Sequence, residues 1–298
     1  MKRTYYYSDE LNDDFAGTNI KRKELPLNYK YFSRNPVRKF FEFILYRLIV
    51  TPLIFLFQKI VFHETIKNRR GLKGYRKGGY FLYANHTAAA GDAFRPSLVA
   101  FPKKAYIIIN PDGVSIPVAG KAVEMLGGVP IPTARRGMKG FHEAIKKHTD
   151  KNHCVVIYPE AHIWPYYTKI RPFKDVSFRY PAETGKPVFC FTTTYQKRRF
   201  TSYPKTTIYV DGPFFPDETL SLKENQRMLR EQVYEAMTER SKKSTYEYRQ
   251  YIKVAPDTAK AKPAPLPMPA GAFMPEYVPA FTTADAEAEE QAAAEIAV

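Results

Sequence analysis

The stretch "FLYANHTAAAGDAF" follows an apolar run with a histidine and, six residues on, an aspartate. Histidine is the side chain whose ordinary pKa lies nearest neutrality, and a carboxylate that holds one ring nitrogen directs proton uptake to the other. His86 and Asp92 are therefore candidates for a general base and the acid that orients it. Three alanines and Gly91 between them leave space for a substrate. The preceding run, "GGYFLYA", has the length of a strand, and open α/β sheets bind ligands beyond the carboxyl ends of their strands. A histidine near a helix start also serves as a cap or a buried polar residue, so other segments must decide.

Three of them bear on the question. "GGVPIPTARRG" brings Arg135 and Arg136 near a helix start, where cations and open backbone N–H groups together hold phosphate. "VVIYPEAHIWPYYTKIRPF" ends a strand at Glu160 and then supplies Lys169 and Arg171. "GKPVFCFTTTY" sets a proline before another apolar strand. Glu160, His162 and His86 form a competing set, because residues two apart on a strand share a face and two histidines with one carboxylate are metal-ligand types. A nucleic-acid reading rests on "YYTKIRPFKDVSFRYP" and "YQKRRF", which interleave rings and cations, but no zinc-finger, helix-turn-helix or RNA-recognition pattern accompanies them.

Taken in order, these blocks resemble the 1-acyl-sn-glycerol-3-phosphate acyltransferase (lysophosphatidate acyltransferase) family. Asn85-His86…Asp92 looks like its N-H-x-x-x-x-D block, and Gly127 to Arg136 like its Gly-x-x-Phe-Ile-x-Arg block. Tyr158-Pro159-Glu160 looks like the start of its F-P-E-G-T-R block, and Pro187-Val188 like its last, proline-containing block. The resemblance implies a glycerol-3-phosphate acyltransferase-like fold and transfer of a fatty acyl group to a hydroxyl of lysophosphatidate or a related glycerolipid, in phospholipid biosynthesis. The donor would be acyl-CoA or acyl carrier protein, with no metal, no cofactor and no covalent enzyme intermediate. His86 would take the hydroxyl proton while Asp92 holds its ring. Asn85, Arg135, Arg136, Glu160, Lys169 and Arg171 would bind substrate.

The chain departs from the family pattern in three places. Five residues, not four, separate His86 from Asp92, and Gly91 is expected to absorb the extra one as a local bulge. Thr133 and Ala134 stand where the second block has its arginine, and Ala161-His162-Ile163 replaces G-T-R in the third. These changes leave the acceptor open, a glycolipid hydroxyl included. They also leave open a lipid-binding relative without catalysis, which would show an Asp92 out of reach of the His86 ring.

The elements that must position these residues follow from pattern. From Gly71 to Lys253 strand-like runs ("GGYFLYA", "KKAYIII", "HCVVIY", "PVFCFTTTY", "TTIYV") alternate with helical periodicity, as at Met138, Phe141, Ala144 and Ile145. That is the α/β signature, a largely parallel mixed sheet flanked by helices. Ser221 to Glu224 forms a capping box ahead of a later helix. Upstream, Asn35-Pro36 and Thr51-Pro52 read as two helix starts, hence a two-helix hairpin with a wide apolar surface, lying in a bilayer interface. The organisation expected is a polar arm over 1–34, the hairpin over 35–65, the catalytic domain over 66–255 and a disordered Pro/Ala-rich acidic tail over 256–298.

Composition agrees with a membrane-facing protein. Aromatics make up 15% of the 298 residues, and the net charge is +16. The tail after Ala255 holds two lysines against seven carboxylates, so the remainder is more basic still and is drawn to polyanions, here an anionic membrane surface. No nucleic acid is expected as a partner. The two cysteines, Cys154 and Cys190, sit in apolar strand runs as core residues, which suits a reducing compartment. The amino-terminal stretch lacks the apolar core of a signal peptide. A peripheral or monotopic enzyme on the cytoplasmic face of the membrane is the expectation.

Overall fold

Phe81 and Tyr83 point to one side of their strand, and Tyr80, Leu82 and Ala84 to the other; all five are buried. Covered faces on both sides are what a continuous apolar run requires, and they put this strand in the middle of a sheet. The computed structural model describes residues 3–15, 24–88, 91–115 and 119–255, so the acidic tail and its expected disorder lie outside the described residues. Its strands are β1 (Thr4–Tyr7), β2 (Thr65–Lys67), β3 (Tyr80–Ala84), β4 (Ala105–Ile109), β5 (Gly128–Pro130), β6 (Cys154–Ile157), β7 (Val188–Gln196), β8 (Lys205–Phe214) and β9 (Gln250–Lys253). Seven of them form one sheet in the order β2-β8-β7-β3-β6-β4-β5, parallel throughout except for the β7–β8 pair. The α/β class read from the sequence is the one the chain adopts.

Two helices cover one face. Phe141 and Ile145 come from Met138–Asp150, and Leu229, Val233 and Met237 from Leu222–Ser241. The expected capping box opens the second helix: Ser221 N–H donates to Glu224 Oε2 at 2.9 Å, and the Ser221 hydroxyl oxygen accepts the Glu224 N–H. Both cysteines are buried in strands, Cys154 in β6 and Cys190 in β7.

The two-helix hairpin is replaced by one continuous helix, Pro36–Ile60. Asn35 caps its start as expected, its Oδ1 accepting the Val37 N–H at 2.9 Å. Thr51 does not begin a second helix. Its hydroxyl and its N–H both turn back to the Tyr46 carbonyl, closing a π-helical segment, Ile44–Val50, that carries the chain into Pro52 without a break. One stripe of this helix packs on the domain through Tyr46, Thr51, Ile54 and Gln58, while Phe40, Leu48, Leu53, Phe55, Leu56 and Ile60 remain exposed.

The amino-terminal arm is also more than a polar appendage. In Thr4–Tyr7, Tyr5 and Tyr7 are buried and Tyr6 is exposed, the period-two pattern of a strand. β1 pairs in parallel with β9, and Tyr5, Tyr7, Phe15 and Tyr251 enclose Trp164. Residues 16–23 of the arm lie outside the described residues.

Candidate active site

β3 ends at Ala84, and the next residues are held by their neighbours on either side. Asn85 reaches across to β7, donating from Nδ2 to the Thr193 carbonyl and accepting the Thr193 N–H at 2.8 Å. This pair continues the β3–β7 ladder past the point where the strands part. On the other side, the loop after β6 pairs with the loop after β3: Trp164 N–H donates to the His86 carbonyl at 3.1 Å, and Tyr166 N–H to the Thr87 carbonyl at 2.7 Å. His86 is thus fixed through its backbone before its ring makes any contact.

Its ring meets Asp92. His86 Nδ1 lies 2.9 Å from Asp92 Oδ2, the His86 side chain is 6% exposed and Asp92 is fully buried. The same carboxylate oxygen accepts the Ala88 N–H at 2.8 Å, and the Tyr158 ring stacks on the imidazole at 4.3 Å between centroids. The Asp92 carboxylate accepts hydrogen bonds, so Nδ1 carries a proton and the basic lone pair is on Nε2. Five intervening residues therefore still deliver the carboxylate to the ring, and the out-of-reach arrangement of an inactive relative is not found.

Gly91 does this differently from the bulge expected. Its φ is not in the left-handed region; the described glycines with positive φ are Gly127, Gly185 and Gly212. What matters is the missing side chain, because a Cβ at Gly91 would sit 2.8 Å from the Arg95 guanidinium carbon. The space goes to an arginine that sequence reasoning missed. Arg95 is fully buried, with Nη1 3.0 Å from Asp92 Oδ1 and Nε 2.8 Å from Glu64 Oε2. Burial opposes its charge, but Glu64 and Asp92 outweigh that and raise its pKa. A buried carboxylate flanked by a cation and held by a backbone N–H has little freedom to turn, so Asp92 keeps the imidazole in one orientation.

Glu160 and Arg171, read from the sequence as substrate ligands, face inward. Glu160 Oε2 accepts the His86 N–H at 2.9 Å and Oε1 the Arg171 N–H at 3.0 Å, so this carboxylate ties three segments of backbone together. Burial raises its pKa, with Arg171 and the two N–H donors opposing. Arg171 is 1% exposed; its guanidinium donates to the carbonyls of Glu160, His162 and Glu10 and lies 4.9 Å over the Trp164 ring. It braces the loop after β6 and is not available to a headgroup. The competing metal set does not converge: His162 turns toward Asp14, 3.6 Å away, and among the described residues no group of three His, Cys, Asp or Glu side chains is arranged around a cation. Arg135 and Arg136, in a short 3₁₀ helix (Arg135–Gly137), and Lys169, on a loop, are exposed at the carboxyl end of the sheet. β5, which leads to the two arginines, lies three strands from β3, roughly 14 Å at the usual strand spacing.

An apolar cleft opens from the His86 ring. It runs between Phe94 and β4, past Ile107 and Leu126, to Tyr46, Val50 and Ile54 on the packed stripe of the amino-terminal helix. Tyr46 is anchored there by the Ala105 N–H, which donates to its hydroxyl oxygen at 3.1 Å. A histidine–aspartate pair at one end and an apolar helix at the other fit a substrate with a long apolar part and a polar group at its end.

Residues 60–194, which hold every site residue from Glu64 to Arg171, match the family model described as Acyltransferase. Among solved structures, the chain is similar to the crystal structure of the 1-acyl-sn-glycerophosphate (LPA) acyltransferase PlsC from Thermotoga maritima. That similarity has 17% identity and a TM-score of 0.49, covering 70% of this chain and 89% of that one. No curated protein sequence matches it.

Proposed function

From the match of residues 60–194 to the Acyltransferase family model, we propose that the chain moves a fatty acyl group from an acyl thioester to a hydroxyl of lysophosphatidate or a related glycerolipid. The observation that carries this reading is the His86–Asp92 pair, 2.9 Å apart, at the end of an apolar cleft. The acceptor hydroxyl gives its proton to His86 Nε2 as its oxygen attacks the thioester carbonyl carbon. The tetrahedral intermediate expels the thiolate, which takes the proton from the imidazolium and leaves His86 neutral. Asp92, fixed by Arg95 and the Ala88 N–H, stabilises the imidazolium between the two steps. Arg135, Arg136 and Lys169 serve the phosphate of the acceptor in this reading, with a glycolipid hydroxyl as the variant that does not need them.

The donor is acyl-CoA or acyl carrier protein, both soluble, which puts the domain on the cytoplasmic face. Pro36–Ile60 is long enough to cross a bilayer. Yet it is tied to the domain along its length, by Arg38 to Glu124, Glu42 to Lys104, Tyr46 to Ala105 and Lys59 to the Glu64 carbonyl. A helix tied to a domain from end to end cannot be surrounded by lipid, so the reading is a monotopic helix in the interface with its exposed apolar face in the acyl region. The test is a panel of lipid acceptors offered one labelled acyl thioester, products read by mass spectrometry. Wild type should esterify a lysophospholipid or related hydroxyl, and His86→Ala should lose roughly 10²–10⁴-fold in rate. Equal rates for the two proteins would overturn the proposal.

A further inference from the structure

Between Glu64 and Asp92 the chain holds no acidic residue, yet Lys67, Arg69, Arg70, Lys73, Arg76 and Lys77 fall within eleven positions. Arg69–Tyr75 is a 3₁₀ helix, in which residues three apart stand one above the other at a rise of about 2 Å each. Arg70 and Lys73 within the helix, and Arg76 at its carboxyl-terminal cap with φ -61° and ψ -30°, close to 3₁₀ angles, therefore form a ladder of three cations, spaced about 6 Å apart. All three are exposed, and among the described residues none has an ion pair or hydrogen bond of its side chain. Their separation is shorter than the screening length of about 8 Å at physiological salt, so they repel one another unless an anion lies between them.

The ladder lines an open recess of about 820 Å³ whose walls are already committed. Arg69 donates to the Val99 and Phe101 carbonyls, and Lys103 to those of Gly78 and Asn152. These inner cations shape the recess, and the ladder at its rim is what remains to bind. Phe101, 46% exposed, joins the recess to the amino-terminal helix: Arg47 of the helix and Arg69 lie 5.2 and 5.7 Å from its ring. The recess is thus continuous with the helix assigned above to the bilayer interface. It lies beside the amino ends of β3 and β4, near Tyr80 and Lys103, away from His86 at the carboxyl end.

We infer that this recess binds the phosphate of an anionic phospholipid headgroup, in the leaflet that receives the helix, as a docking site separate from the catalytic cleft. The inference rests on the interfacial reading of the helix. The test measures binding of the full chain to vesicles of phosphatidylcholine alone and with phosphatidylglycerol added. Three proteins are compared: wild type, Arg70→Gln/Lys73→Gln/Arg76→Gln, and a control with equal charge loss at other exposed positions, Lys146→Gln/Lys197→Gln/Lys243→Gln. The ladder variant should lose about 100-fold in affinity for the anionic vesicles. It should keep the wild-type affinity for neutral ones, and the control should lose much less. Equal losses in both variants would reduce the effect to bulk charge and overturn the site. Full competition by millimolar glycerol phosphate or inorganic phosphate would make a free anion the ligand and overturn the lipid assignment. Wild type that binds neither vesicle would instead remove the interfacial helix on which the inference stands.

Discussion

Ala161 holds a left-handed backbone conformation, φ 68°, at the position that corresponds to the glycine of the family's F-P-E-G-T-R block. That conformation costs an L-residue about 1–2 kcal/mol, and glycine gives back about 0.5–1 kcal/mol of it through lost chain entropy. Ala161→Gly should therefore stabilise the protein by about 0.5–1 kcal/mol. Urea denaturation would measure it, and a loss of stability would show that the strain is relieved elsewhere. The left-handed turn points the Glu160 carboxylate back at the His86 and Arg171 N–H groups, a geometry no spacing rule reveals. His86 and Asp92 were legible because their residue types announce proton chemistry and a strand precedes them. Arg95 and Glu64 were not, since they are 31 residues apart and neither has a signature until the fold brings them together. Arg171 misled for a related reason: a cation near a site reads as a ligand, whereas full burial makes it a brace.

The helix Met138–Asp150 ends on a histidine pair, His148 Nδ1 lying 3.0 Å from His153 Nδ1, with Phe32 and Tyr106 against the His148 ring. Burial, then each other's charge and the nearby lysines, push the His148 pKa down to about 3; burial and lysines push that of His153 down to about 4. Both rings are neutral in the folded chain and protonate near pH 6.5 once unfolded. The unfolded state then binds more protons below about pH 6.5, so this contribution is complete above that value and lost as pH falls toward 4 and below. Melting temperature followed from pH 7 to 4 should drop less steeply in His148→Phe than in wild type; parallel curves would mean the pair is not the cause. At this scale the long apolar strands and the capped helix could be read directly. β1, β2, β5 and β9 could not, because three or four residues are too few to show a period, and β5 ends in a proline. The unbroken helix was hidden by Thr51-Pro52, which looks like a start wherever a π-turn is not anticipated.

For the molecule as a whole, the exposed side of Pro36–Ile60 is the largest unexplained expense of apolar surface, and the interface reading gives it a use. Leu53, Leu56 and Ile60 share one exposed side of that helix and do not line the cleft. Leu53→Ser/Leu56→Ser/Ile60→Ser should weaken binding to neutral vesicles by roughly tenfold or more while leaving the thermal midpoint nearly unchanged. Retained binding would shift the membrane contact elsewhere. Overall class and layer order were legible from the sequence because both sheet faces are covered. The clasp between β1 and β9 was not, since it joins residues nearly 250 positions apart across a loop that neither resembles. That clasp has a bearing on biosynthesis. A ribosome exposes the helix and the histidine early, but Trp164 is enclosed only when the strand at 250–253 has left the exit tunnel. A nascent chain can thus meet the bilayer well before the loop that carries Trp164 is enclosed, so on the proposed function membrane contact precedes completion of the site.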